Sequence, residues 1–390
     1  MSRNLVFILI GLCALLIARC STTAPDQLES EVLDTSIQAL PLEVISPADN
    51  PTTPEKVALG KLLFYDPILS GNKDVACATC HHPNHGYAEF RDLSIGVNGT
   101  GLSSKRKFNT PNDIPFVKRN AHTILNTAFN GINPKNEYQP DQAPMFWDSR
   151  VNSLESQALE PIKALEEMRG RAYEQDEILD EVVRRLKEIP TYQALFDQAF
   201  LEEDAISIAN LGKALAAFER SLVTPNTRFD RYLRGDEDAL SFSEKDGFRR
   251  FKNVGCANCH NGSMLSDFKP HVLGMQENNK LAAPDSGTQG TFGFRTPSLR
   301  NLRFTSPYMH NGKFYSLKGV LEFYEELAGG QSRNKHVPKE QLDPLIKKLT
   351  ITMQDIGPIV SFFNALNDTT FDRSIPESVP SGLNVGGNIE

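Results

Sequence analysis

Two short strings constrain this chain more than any other feature. Cys77-Ala78-Thr79-Cys80-His81 and Cys256-Ala257-Asn258-Cys259-His260 both read C-x-x-C-H. In this pattern the two thiols add to the vinyl groups of a porphyrin, and the adjacent histidine lies beneath the ring to ligate iron. With only 6 Cys and 8 His in the chain, two chance matches are negligible. Other uses of paired cysteines fit less well. Zinc ribbons close their two pairs within some tens of residues, whereas these pairs sit in different halves. A dithiol redox motif wants a βαβ context, which neither motif has. The expectation is two covalently bound haem c groups, held by Cys77, Cys80, Cys256 and Cys259, with His81 and His260 as iron ligands.

The other two cysteines, Cys13 and Cys20, fall in the first twenty residues, so a disulfide-stapled fold is excluded. Residues 5–18 (LVFILIGLCALLIA) form an apolar run after Arg3. It is short of the ~20 residues of a membrane span and suits a signal-peptide core. Residues 1–20 therefore read as an export leader to the periplasm, where bacterial c-type haem is attached. Cys20 precedes Ser-Thr-Thr as at a lipoprotein cleavage site, although Arg19 stands where a small residue is expected. A lipid anchor through Cys20, a plain signal peptide and an uncleaved anchor stay open. Residues 21–55 carry acids and prolines but no Lys or Arg, and read as an acidic tether of which Ile37 to Ile45 could dock on the body. The net charge of −8 argues against nucleic acid and suits a cationic partner protein.

Beyond residue 55 helical periodicity dominates. Ile208, Leu211, Leu215, Phe218 and Leu222 line one face of a helix ended by Pro225, and Ile178, Val182, Val183 and Leu186 mark another. Strand alternation is scarce, so the fold class is mainly α. Gly96 to Pro115 and Gly274 to Gly293 read as long loops, reasonable if something other than polypeptide fills part of the core. The segments after the two motifs also repeat. Thr123-Ile-Leu-Asn126-Thr-Ala-Phe129 answers Ser298-Leu-Arg-Asn301-Leu-Arg-Phe304, and Ser153-Leu154 answers Ser316-Leu317. Length agrees with two domains at about 150 residues each. The expected organisation is two cytochrome c-like haem domains related by an internal repeat. The N-terminal, peroxidatic one spans 56–224, the C-terminal, electron-transferring one spans 225–370 with its last helix reaching onto the first, and 371–390 is a flexible tail.

The repeat separates the two haems. Carried forward from Ser153 and Ser316, it sets Pro161 opposite Tyr324. Proline offers no side-chain donor, while tyrosine can bind Fe(III) as a phenolate. The first haem is thus expected to have an open distal face, and the second to be six-coordinate. Tyr324 as a core aromatic of the helix Leu317 to Leu327 is the alternative, with Met309, Met275, His271 and His310 as competing ligands.

The stretches LGKLLFYDPILSGN, CATCHH, KRNAHTILNTAF, FWDSRVNSLESQALEPI, EEM, AFERSLVTPNTRFDRYLRG, CANCHNG, FRTPSLRNLRFTSPYMHNG and SLKGVLEFY follow one another as in the bacterial dihaem cytochrome c peroxidase and MauG superfamily, which the chain resembles from Leu59 to about Tyr324. The resemblance implies that Trp147 couples the two haems. It implies that Gln157 and Glu167 form the distal pocket, with Glu167 moving a proton from the inner to the outer peroxide oxygen. It also implies that Asn120, Thr305 and Pro307 supply oxygen ligands to Ca²⁺ between the domains. Two positions depart from typical peroxidases. Their gating histidine falls near Asn112, and no histidine lies between His85 and His122. Tyr324 stands where they have methionine and MauG has tyrosine, and an anionic phenolate should lower the potential. His82 and His85 are expected at the surface.

The implied function is an exported peroxidase that reduces hydrogen peroxide to water with electrons from a small cytochrome or cupredoxin. One alternative is a MauG-like enzyme using peroxide-derived ferryl haem to oxidise residues of a partner protein. Another is a dihaem electron carrier or sensor without turnover. A homodimer stays open.

Overall fold

The computed structural model describes residues 35–390; the leader 1–20 with Cys20 and tether residues 21–34 lie outside the described residues. Eleven α-helices occur in the described part. They are α1 Pro54–Tyr65, α2 Cys77–Cys80, α3 Leu154–Gln157, α4 Glu160–Lys163, α5 Ile178–Lys187, α6 Pro190–Ala199, α7 Ile208–Ser221, α8 Arg228–Leu233, α9 Phe242–Asn253, α10 Leu317–Ala328 and α11 Met353–Asn364. Strands are confined to three short antiparallel ribbons: β1 Gly99–Thr100 with β2 Lys107–Phe108, β3 Pro144–Met145 with β4 Val151–Asn152, and β5 Pro270–Val272 with β6 Gly293–Arg295. The chain is mainly helical, and the stripe on α7 is buried as its spacing requires.

Two glycines set the main helix crossings. A methyl group at Gly60 of α1 would stand 2.0 Å from Ala214 O and 2.9 Å from Phe218 Cβ of α7; one at Gly247 of α9 would stand 2.0 Å from Pro358 O and 2.9 Å from Phe362 Cβ of α11. Only hydrogen lets the backbones approach so closely. Around these crossings lie separate apolar clusters. One includes Leu59, Leu63, Phe64, Leu211, Leu215 and Phe218, the other Phe229, Phe251, Ile359, Phe362 and Phe363.

Three expectations about the ends of the chain meet the structure differently. The segment Ile37 to Ile45 does dock. Leu40 is buried and its N–H donates to Asp230 Oδ1 at 2.9 Å. The last helix, however, packs on α9 and α10 rather than on the first half. The expected flexible tail 371–390 is instead laid across the first half. Phe371 and Val379 are buried there, Ser381 Oγ donates to Asp66 Oδ1 at 2.6 Å, Gly386 N–H to Tyr65 O at 2.8 Å, and Thr79 Oγ1 to Gly386 O at 2.7 Å. Backbone polar groups make this docking, which is why hydropathy does not reveal it. The buried Arg106 ties the loop to the tail, donating to the carbonyls of Ile95, Gly96, Gly101 and Asn388. Among the described residues no helix is long and apolar enough to cross a membrane.

Candidate haem sites and the ground between them

Each C-x-x-C-H motif borders its own cavity. Cys77, Cys80 and His81 line one, which holds about 1510 Å³ of empty space with its open mouth; Cys256, Cys259 and His260 line the other, about 1900 Å³ on the same basis. The histidines are held alike. His81 Nδ1 donates to Tyr87 O at 3.0 Å and His260 Nδ1 to Leu265 O at 2.9 Å. A carbonyl can only accept, so Nε2 is left as the lone-pair nitrogen, the arrangement that suits a metal-ligating imidazole. Both carbonyls come from residues in the left-handed region, Tyr87 at φ 55° and Leu265 at φ 52°, a conformation that side chains adopt at a cost. Burial pushes the Cys77 and Cys256 thiols up to about 12 and Cys80 well above its ordinary value. Neutral buried thiols beside a ligand-ready imidazole fit covalent haem in both cavities. His82 is buried rather than at the surface, because its Nδ1 accepts from Asn84 N–H at the start of a short turn.

The first cavity gathers acids. Gln157 at the end of α3, Pro161 in α4, Glu166, Glu167 and Glu219 all line it. Glu167 lies in a π-helical turn, Leu165–Arg169, a geometry that recurs at functional sites. Two glycine approaches pin that turn. Gly71 N–H donates to Met168 O at 2.8 Å, and a methyl at Gly96 would meet Glu167 O at 2.1 Å. Burial first, then the charge of Glu166, raises Glu167 to about 7. Glu219, on α7, is raised to about 8 by burial, and its Oε2 has no hydrogen-bond partner. The sequence signal for it is an acid on an apolar stripe, four residues after Leu215 and three before Leu222.

The second cavity is lined by Tyr324 and by all four competing residues, His271, Met275, Met309 and His310. One competitor is removed by its own bonds. Burial opposes a charge on His271, but Asp267 at 3.0 Å from Nε2 and Asp343 at 2.7 Å from Nδ1 outweigh it and hold the imidazole up at about 12. With both nitrogens donating, His271 has no lone pair for iron. His310 stacks on Phe294 with centroids 3.5 Å apart. Burial keeps the Tyr324 hydroxyl well above its ordinary value.

Asn120, His122, Thr127 and Trp147 line both cavities. Trp147 sits in the turn between β3 and β4, and its Nε1 donates to Asn120 O at 2.9 Å. His122 meets its ring edge-on at 5.5 Å. Asn120, Thr305 and Pro307 share the wall of the second cavity. The Asn120 amide nitrogen is spent on Arg91 O at 2.8 Å and Asp92 O at 3.3 Å, which leaves its carbonyl oxygen for a cation. Neutral, hard oxygens of this kind are ones that Ca²⁺ takes as ligands. Asn112 is exposed and bonded to Asn98 Nδ2 at 2.8 Å, and borders neither cavity.

Two cavities that each present a paired thiol and an oriented histidine, on a mainly helical frame with a tryptophan between them, define a dihaem c-type oxidoreductase. The family model described as di-haem cytochrome c peroxidase matches residues 54–238. The chain is 39% identical to the methylamine utilization protein MauG of Methylorubrum extorquens, over 75% of this chain and 74% of that protein. It is 31% identical to the cytochrome c551 peroxidase of Pseudomonas aeruginosa, over 72% of this chain and 75% of that protein. A crystal structure of a MauG-like protein associated with microbial copper homeostasis superposes with a TM-score of 0.66 at 26% identity, covering 87% of this chain and 95% of that one. The chain belongs to the di-haem cytochrome c peroxidase family, which also contains MauG, and is a peroxidase-type oxidoreductase. Membership implies two haem c cofactors.

Proposed function

We propose that the protein is an exported peroxidase in which residues 56–224 and 225–370 form two haem domains related by an internal repeat, and that hydrogen peroxide is reduced at the first. The matched glycine crossings at Gly60 and Gly247 support the repeat. Haem bound through Cys77, Cys80 and His81 supplies a redox-active iron that peroxide can reach. The observation that carries the reading is Glu167, a half-buried carboxyl poised at about 7 in the same cavity as that motif. As a carboxylate it takes the proton from the inner peroxide oxygen and returns it to the outer one. Gln157 beside it offers an amide to hold the peroxide, and Pro161 presents no atom that competes for the iron. Two electrons and two protons convert one peroxide into two waters. The electrons come from a small cytochrome or cupredoxin; Trp147, between the cavities, would carry them, Tyr324 would help hold the second haem, and Asn120, Thr305 and Pro307 would supply oxygens to Ca²⁺. Export to the periplasm by a leader at residues 1–20 accords with covalent haem.

A second reading is favoured by Tyr324 and by the likeness to MauG: the same oxidising equivalents are passed to residues of a docked protein. Stopped-flow spectroscopy of the diferric protein with peroxide tests the common step. With Asn112 in place of a gating histidine, reaction is expected without prior reduction; no spectral change until one haem is reduced overturns this. Steady-state turnover with a reduced cytochrome then separates the two readings.

A further inference from the structure

Among the described residues five arginines are buried, and their partners set one apart. Arg300 forms a two-pronged pair with Asp230 at 2.8 Å on each arm. Arg185 donates to Glu181 at 2.7 Å and to three carbonyls. Arg220 leaves Nε and Nη1 without a partner but has its charge met by the Glu155 carboxylate at 2.6 Å, and Arg106 is surrounded by the four carbonyls described above. Arg295 has one protein acceptor for its whole guanidinium, Phe146 O at 2.7 Å from Nε. Its two terminal nitrogens donate to no protein atom. Asp148 is the carboxylate whose charge reaches it, but Arg119 takes Oδ2 of that group at 2.7 Å and Arg150 takes Oδ1 at 2.8 Å.

A guanidinium keeps its proton, and burying it unpaired costs several kcal/mol by general experience with buried ions. Burial lowers the Arg295 group only to about 10, still cationic at neutral pH. Apart from the ring of Phe268, 5.8 Å from Cζ, the free arms face the cavity, where an anion would pair them, and the place of the residue says which. Arg295 ends β6 and lines the second cavity but not the first. It stands where the two cavities meet, since its charge acts on His122, which borders both. Its backbone N–H donates to Trp147 O at 2.7 Å. A c-type haem carries two propionate carboxylates, and a planar fork of N–H donors matches a carboxylate.

We propose that the two free nitrogens of Arg295 bind a propionate of the haem attached at Cys256 and Cys259, while its Nε and backbone N–H hold the carbonyls of Phe146 and Trp147. The residue thereby fixes the tryptophan turn to the second haem and places a positive charge beside it. The proposal rests on the dihaem reading, so haem content is measured first: fewer than two covalent haems per chain in the unmutated protein overturns that reading itself. Arg295→Met and Arg295→Gln are then titrated spectroelectrochemically beside Arg295→Lys. Loss of the cation favours the ferric state, so one haem potential is expected to fall by at least a tenfold change in the reduced-to-oxidised ratio, about 59 mV for one electron. The other potential holds, and lysine restores most of the shift. Loss of one haem from both neutral variants but not from the lysine variant supports the same pairing. Two unchanged potentials in the neutral variants overturn it, as does an equal fall in Arg295→Lys, which would assign a packing role instead of a charge.

Discussion

His81 and His260 are presented in the same way, each by a carbonyl from a left-handed residue, yet the walls they face differ in charge: the first mixes acids with Lys118, Arg119 and Arg150, and the second carries cations and no carboxylate. Around the first motif stand Glu166, Glu167, Glu219, Gln157 and Pro161. Around the second stand Arg295, His271, Met275, Met309 and Tyr324. Titratable acids near neutrality handle protons; a fixed cation and a candidate sixth ligand tune an electron site. On the proposed function, one attachment chemistry is put to two uses by what surrounds it.

Removing one motif at a time tests the independence of the two sites with the largest effect. Cys77→Ala with Cys80→Ala, and separately Cys256→Ala with Cys259→Ala, should each leave one covalent haem, read by mass spectrometry and the haemochrome spectrum. Loss of both haems from either pair would show the halves to be interdependent. The proton-handling half is probed next. Glu167→Gln is expected to slow the peroxide step by roughly 10²–10⁴, the usual worth of a positioned acid–base group. Because Glu167 must be ionised to accept the proton, the unmutated rate should rise with pH through about 7 and the variant should be flat there. An unchanged profile would remove Glu167 from the role.

The helix crossings offer a more even contest. Gly60→Ala and Gly247→Ala force a methyl against a carbonyl 2.0 Å away in both halves, so each should cost about 1–3 kcal/mol, as overpacking generally does. Denaturant unfolding measures this, and similar losses would bear out the repeat. The finest probe is Tyr324→Phe. It should alter the low-spin spectrum of one haem and leave the peroxide-reactive one unchanged; an unaltered spectrum excludes the phenolate.

Much of this was legible because cysteine and histidine at fixed spacing carry chemistry that composition cannot imitate. The motifs and the α7 stripe could be read from residue types and order, the placing of Pro161 and Tyr324 from the repeat, and that of Gln157 and Glu167 only from the family resemblance. Arg295 could not. Its meaning lies in the absence of a carboxylate partner, a property of the folded surroundings and not of the neighbouring sequence. Nor could the docking of residues 371–390, since Gly386 and Asn388 are bound through backbone groups that every residue possesses. The pairing of His271 with Asp343, 72 positions away, joins distant segments in the same way.

The hydrogen bond from Thr79 to Gly386 spans 307 positions and ends inside the first attachment motif. In time, this means that the first half, though made early, is closed by a segment made 307 positions after Thr79. Closing so long a loop is slow to repay its entropy. Haem can therefore reach Cys77 and Cys80 while that side is still open, and the returning end then seals it. A chain cut short at residue 370 should accordingly mature poorly at the site farthest from the cut.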